Sequence, residues 1–133
     1  MNAPAKLADL TLDNYTLEDR YIRERGRVYL TGVQALVRLP MMQRQRDLAA
    51  GLNTGGFISG YRGSPLGGFD LELWRAKKYL AEANVKFQPG LNEDLGATMV
   101  WGTQQTNLFP GANVDGVYAV SYTHLTLPTI LRV

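Results

Sequence analysis

Residues 54–90 read TGGFISGYRGSPLGGFDLELWRAKKYLAEANVKFQPG, and the fold class turns on how this stretch divides. Phe57-Ile58-Ser59-Gly60-Tyr61 is a short β-prone run bounded by glycines, the pattern of a buried strand. A glycine-rich turn over 62–68 leads into a helix expected at 70–83, with Leu73, Trp74, the Lys77 stem and Leu80 along one packing face. Val85-Lys86-Phe87 is a second strand, and Pro89-Gly90 is a turn. Strand, helix and strand at this spacing make a βαβ unit, whose strands are parallel.

The flanks extend the alternation. Upstream, Thr16 with Glu18 and Asp19 marks the start of a short charged helix over 17–25, its acids near the positive end of the helix dipole. Residues 28–30 (VYL) form a β-prone run, and Thr31 caps a helix whose apolar positions are Val33, Leu36, Val37, Met41 and Leu48. Pro40 lacks the N–H that the helix ladder needs, which predicts a kink or break there, and Gly51 suits a left-handed helix end. Downstream, Asn92 caps a further helix with Glu93 and Asp94 in its first turn, and Val117-Tyr118-Ala119 opens another strand. The expected fold is α/β: a partial, open, mostly parallel sheet with flanking helices. Neither an internal repeat nor a low-complexity linker is visible.

Size and composition fit one domain. The chain has 133 residues, 45% hydrophobic and 20% charged, a balance typical of a globular protein rather than a disordered one. A net charge of +2 with interleaved signs points to neither nucleic acid nor a membrane surface. There is no cysteine, hence no disulfide, cysteine-ligated zinc or iron–sulfur cluster within this segment. No metal-ligand set is expected from these residues. No apolar run approaches the ~20 residues of a membrane span, and MNAPAKLADL does not resemble a signal peptide. These features make the cytoplasm the expected compartment, with residues 1–15 a loose arm.

Ligands of open α/β sheets bind beyond the C-terminal ends of strands. Two strand-to-helix junctions qualify here: Gly60-Tyr61-Arg62-Gly63-Ser64-Pro65-Leu66-Gly67-Gly68 and Pro89-Gly90-Leu91-Asn92-Glu93-Asp94. Four glycines in the first would let backbone N–H groups approach a ligand. It matches neither G-x-G-x-x-G nor the G-K-[ST] ending of a P-loop, so spacing alone leaves a tight turn and a ligand loop both open. Glu93 is open in the same way, because a first-turn carboxylate can simply complement the helix dipole. Trp101 and Phe109 read as core residues.

The strings GYRGSPLGG (60–68) and NEDLGATMVWGTQQ (92–105), set in residues 15–119, resemble the N-terminus of the indolepyruvate ferredoxin oxidoreductase family. These are thiamine-diphosphate-dependent 2-oxoacid oxidoreductases. The resemblance implies a pyrimidine-binding domain of thiamine diphosphate over 16–119. It also implies oxidative decarboxylation of aryl 2-oxoacids to acyl-CoA, with ferredoxin as electron partner. Glu93 matches the carboxyl that hydrogen-bonds N1′ of the aminopyrimidine and so promotes loss of the thiazolium C2 proton, a role needing a dry pocket and raised proton affinity. Gly63, Ser64, Pro65 and Gly67 would lie against the cofactor, with Ser64 also near the substrate. Arg62 would meet the substrate carboxylate, unless it forms only a surface ion pair.

Parts of the family's pattern are missing. The Gly-Asp-Gly motif that holds diphosphate and Mg²⁺ is absent, Asp115-Gly116 alone not being it, and so are the cysteine clusters for iron–sulfur centres. The remainder of a longer polypeptide or a partner subunit would supply them, and the full-length protein is expected to be a homo-oligomer. The alternatives are a stand-alone thiamine- or nucleotide-binding α/β module and a non-functional truncated product.

The likeness ceases near Ala119. VSYTHLTLPT (120–129), which holds His124, the chain's one histidine, resembles the translation of a transposase-type sequencing adapter. The expectation is that 120–133 is a non-native tail. Its roughly alternating pattern, stopped by Pro128, would then be accidental.

Overall fold

A computed structural model of the chain describes residues 14–122. His124, Pro128 and all but the last two residues of the expected N-terminal arm lie outside the described residues. In chain order the elements are α1 (Asp19–Ile22), α2 (Gly32–Ala49), β1 (Thr54–Gly60), α3 (Gly67–Arg75), α4 (Lys77–Glu82), β2 (Val85–Phe87), α5 (Glu93–Thr103), a 3₁₀ turn (Thr106–Leu108) and β3 (Gly116–Tyr122).

The three strands form one open, all-parallel sheet in the order β2-β1-β3. Pairing runs from Gly56↔Val85 to Ile58↔Phe87 on one side and from Thr54↔Gly116 to Gly60↔Tyr122 on the other. The chain leaves β1 towards β2, then returns across β1 to β3. Right-handed crossovers in opposite directions require helices on opposite faces. The side chains of β1 report this division. Ile58 packs in the core with Val37, Met41, Phe69, Leu73 and Leu80 from α2, α3 and α4. Its neighbour Ser59 turns the other way, towards Gly96 of α5. Alternation along a strand makes this split obligatory.

The expected α/β class therefore holds, with several local corrections. Thr31 does cap α2, through a capping box: its hydroxyl accepts from Gln34 N at 3.3 Å, while its own N–H donates to Gln34 Oε1 at 3.0 Å. Of the kink or break expected at Pro40, the break does not occur: α2 continues through it to Ala49. Tertiary packing overrides the intrinsic penalty here: Pro40 is buried, and its carbonyl accepts from Tyr118 OH at 2.7 Å. Gly51 follows the helix at φ 80°, as its position requires.

The run 28–30 is not a strand. The backbone of Tyr29 is taken by the hydroxyl of Tyr15, which receives Tyr29 N at 3.1 Å and donates to Tyr29 O at 2.8 Å. The helix expected over 17–25 shrinks to one turn, Asp19–Ile22. Arg38 of α2 grips it by donating to the carbonyls of Asp19, Arg20 and Arg23. The helix expected at 70–83 starts earlier, at Gly67, and is jointed at Ala76 (φ −88°, ψ 5°) into α3 and α4. The bonds Ala76 N→Glu72 O and Leu80 N→Ala76 O carry the ladder across the joint.

Some positions expected in apolar faces are open instead. Leu36, Leu48 and Trp74 are exposed, as are Trp101 and Phe109, which are 65% and 69% accessible. Trp101 lies on α5 and Phe109 follows the 3₁₀ turn, and neither belongs to the buried core that α2, α3, α4 and the strands form. β3 continues past Ala119 through Val120, Ser121 and Tyr122. Strand pairing uses main-chain groups that any non-proline residue supplies, so the pairing is neutral about the origin of those codons.

Candidate functional site

The connection after β1 passes to the α3 face, whereas that after β2 passes to the α5 face. Adjacent strands whose outgoing connections diverge leave a crevice at their C-terminal ends. The two junctions singled out from the sequence occupy this place. They are tied together by Gly90 N donating to Gly60 O at 2.9 Å and by a parallel bridge between Tyr61 and Gly90.

The glycine turn is internally bonded. Ser64 N donates to Tyr61 O at 3.0 Å, and Gly67 N donates to Ser64 O at 3.0 Å. Ser64 is 7% exposed, and its hydroxyl oxygen accepts from Leu66 N at 3.2 Å. That bond shapes the turn, as serine hydroxyls commonly do, and leaves the hydroxyl proton to donate elsewhere. The ring of Tyr61 packs over Gly63, so close that a Cβ there would meet it at 2.4 Å. Pro65 is exposed, and Gly67 is the first residue of α3.

Arg62 projects from this turn with its side chain 76% exposed. Its Nε lies 3.7 Å from Oδ2 of Asp70, a fully buried carboxyl on the first turn of α3. The other oxygen, Oδ1, accepts from the hydroxyl of Tyr122 at 3.0 Å. Burial, and then the bond to Asp70, pushes the Tyr122 phenol well above its ordinary range. Neither Asp70 nor Tyr122 was singled out by sequence. In the sequence Asp70 only marks the expected start of a helix, and the register Gly60↔Tyr122 is what brings the phenol to it.

On the other side of β1, Asn92 caps α5 by accepting Leu95 N at 2.9 Å, which fixes Glu93 at the helix start. Glu93 is half-buried, with Oε1 enclosed in protein. Close below, a Cβ on Gly96 would stand 3.3 Å from Gly60 Cα and 3.5 Å from Ser59 Oγ. The absent side chains let α5 lie directly on the end of β1. Ser59 Oγ is buried there without a hydrogen-bond partner, which makes it a second polar group missed from sequence.

The structure thus gathers Arg62, Gly63, Ser64, Pro65 and Gly67 on one loop and sets Glu93 across the adjacent strand end. An apolar cavity of about 290 Å³ between α2 and β3 reaches the glycine turn: Leu39, Phe69, Tyr118 and Val120 line it together with Leu66 and Tyr122. Its lining carries no charged side chain, and its polar groups are those of Gln43, Ser121 and the two tyrosines. Among the described residues no group of three His, Cys, Asp or Glu could hold a metal ion, and no helix is long and apolar enough to cross a membrane. Compared with family models, curated proteins and solved structures, the chain matches none.

Proposed function

We propose that this chain is the pyrimidine-side, N-terminal part of a thiamine-diphosphate-dependent 2-oxoacid:ferredoxin oxidoreductase acting on aryl 2-oxoacids such as indolepyruvate. The observation that carries the reading is the meeting of GYRGSPLGG and NEDLG at the divergent C-terminal ends of two adjacent parallel strands. The residues fit the aminopyrimidine half of the cofactor. Glu93 offers a carboxyl with one enclosed oxygen at a fixed helix start, and Gly60 and Gly96 keep the backbone low beside it.

In this reading Glu93 holds or accepts a proton at the ring nitrogen it faces. The Ser64 hydroxyl donates to cofactor or substrate, and Arg62 receives the substrate carboxylate. Gly63, Pro65 and Gly67 shape the loop against which the ring lies. The bound cofactor supplies the electron sink that lets a 2-oxoacid lose CO₂. Chain beyond the described residues, or a partner subunit, provides the diphosphate and Mg²⁺ site, the iron–sulfur centres and CoA binding. Ferredoxin takes the electrons.

The test starts from source DNA carried through codon 120 from an independent amplicon, which also settles whether 120–133 belongs to the protein. The full-length product is then assayed for CoA-dependent reduction of ferredoxin by indolepyruvate. Glu93→Gln is expected to lower kcat by about 10²-fold or more, the scale of a lost proton-transfer group, with folding unchanged. Full activity in that variant would sink the assignment. A native stop near codon 133 would favour the stand-alone binding module instead.

A further inference from the structure

Asp70 is an expensive residue to bury: its side chain has no solvent access, and only Oδ1 has a hydrogen-bond donor, the Tyr122 hydroxyl. Oδ2 is enclosed with no hydrogen-bond donor, and the cation facing it is Arg62, its Nε at 3.7 Å. Arg62 has no other acceptor among the described residues, while most of its side chain is in solvent. A guanidinium is a rigid planar fork, so turning the Nε edge towards a fixed carboxylate also fixes the direction of the outer Nη groups.

We infer that Asp70 is a positioning residue: from beneath the glycine turn it aims Arg62, so that the outer Nη edge offers two parallel donors to the planar carboxylate of a 2-oxoacid. The inference rests on the reading of Arg62 given above and goes beyond it by assigning the group that makes the arginine a receptor rather than a mobile surface charge.

Charge alone predicts the opposite sign. A carboxylate beside a guanidinium lowers the positive potential that an anion meets. If charge alone mattered, Asp70→Asn would tighten anion binding. Positioning predicts that it weakens.

The experiment uses the 133-residue chain, ¹⁵N-labelled and titrated with phenylpyruvate, reading the Arg62 Nε–Hε signal and the amides of 62–68. Arg62→Gln is expected to abolish these shifts. Asp70→Asn is expected to raise Kd by up to about fivefold, the scale of an ion pair with a solvent-exposed arginine, and to move the Nε–Hε signal to its free position. Arg62→Lys, which keeps the charge but cannot span Asp70 and a ligand together, should match Asp70→Asn and serves if that buried substitution disturbs folding.

Binding that is unchanged or tighter in a folded Asp70→Asn variant, with Arg62→Gln still inert, would overturn the positioning role and leave Arg62 as receptor. Binding indifferent to Arg62→Gln, or no binding by the unsubstituted chain, would overturn the receptor reading and the inference with it. In a parallel titration with pyrophosphate, the Asp70 dependence appearing there and not with phenylpyruvate would overturn the 2-oxoacid as ligand.

Discussion

At the scale of single residues, two glycines of α5 behave oppositely. Gly96 sits 3.3 Å (to its would-be Cβ) from the Cα of Gly60, whereas the space around Gly102 is open. Gly96→Val should therefore lift the helix from the sheet and cost about 1–3 kcal/mol, the usual scale of overpacking. Gly102→Ala should stabilise by about 0.5–1 kcal/mol through helix propensity alone. Urea unfolding of the two variants checks the contrast, and equal effects would refute the close approach. Glu72 gives a pH-dependent case. Burial pushes its carboxyl up, but hydrogen bonds from Tyr21 (2.7 Å), Gln34 (3.3 Å) and Arg75 (3.3 Å) outweigh burial and hold it below the ordinary value. A folded-state pKa below the unfolded one stabilises the fold above the unfolded value, and the contribution drains away as pH falls through the folded one. The melting temperature should accordingly fall as pH drops below the ordinary carboxylate range, and less steeply in Glu72→Gln. Identical slopes in the two proteins would exclude this carboxyl as a source.

Elements were legible from sequence where local chemistry decides them. Thr31, Asn92 and Gly51 mark helix ends by capping and left-handed geometry, which depend on near neighbours only. Thr31→Ala should cost about 1 kcal/mol, and Thr31→Ser much less. A thermal melt compares them, and no difference would mean the box adds nothing. Elements failed where a distant partner decides. Residues 28–30 have strand propensity but are claimed by the Tyr15 hydroxyl, 14 residues away. Pro40 should interrupt α2 on local grounds, yet packing and the Tyr118 bond, 78 residues away, hold the helix through it. The candidate site shows the same division. Its two loops were legible as strand-to-helix junctions rich in glycine and acid. Asp70, Tyr122 and Ser59 were not, since burial is a property of what covers a residue.

For the whole molecule, the sheet is covered unevenly. One face carries α2, α3 and α4 and the buried core, while the other carries α5. Around α5, Leu91, Leu95, Trp101, Leu108 and Phe109 are all at least 45% exposed. Apolar exposure of this extent attracts hydrophobic probes. The chain should bind anilinonaphthalene sulfonate in its native state, and Trp101→Gln with Phe109→Gln should reduce the signal without loss of helical circular dichroism. The chain alone is also expected to show no 2-oxoacid-dependent dye reduction with added thiamine diphosphate, because the described residues provide only the pyrimidine side of the proposed site. Turnover by the isolated chain would overturn that.

Sequence by itself determined the alternation of strands and helices, the parallel class and the two loops at strand ends, because these follow from periodicity, capping and turn chemistry within a few residues. Tertiary structure alone decided the order β2-β1-β3, the divergence of the two connections that opens the crevice, and the burial of Asp70 beneath Arg62. Those depend on contacts between residues far apart in the chain, whose free energy no local pattern records.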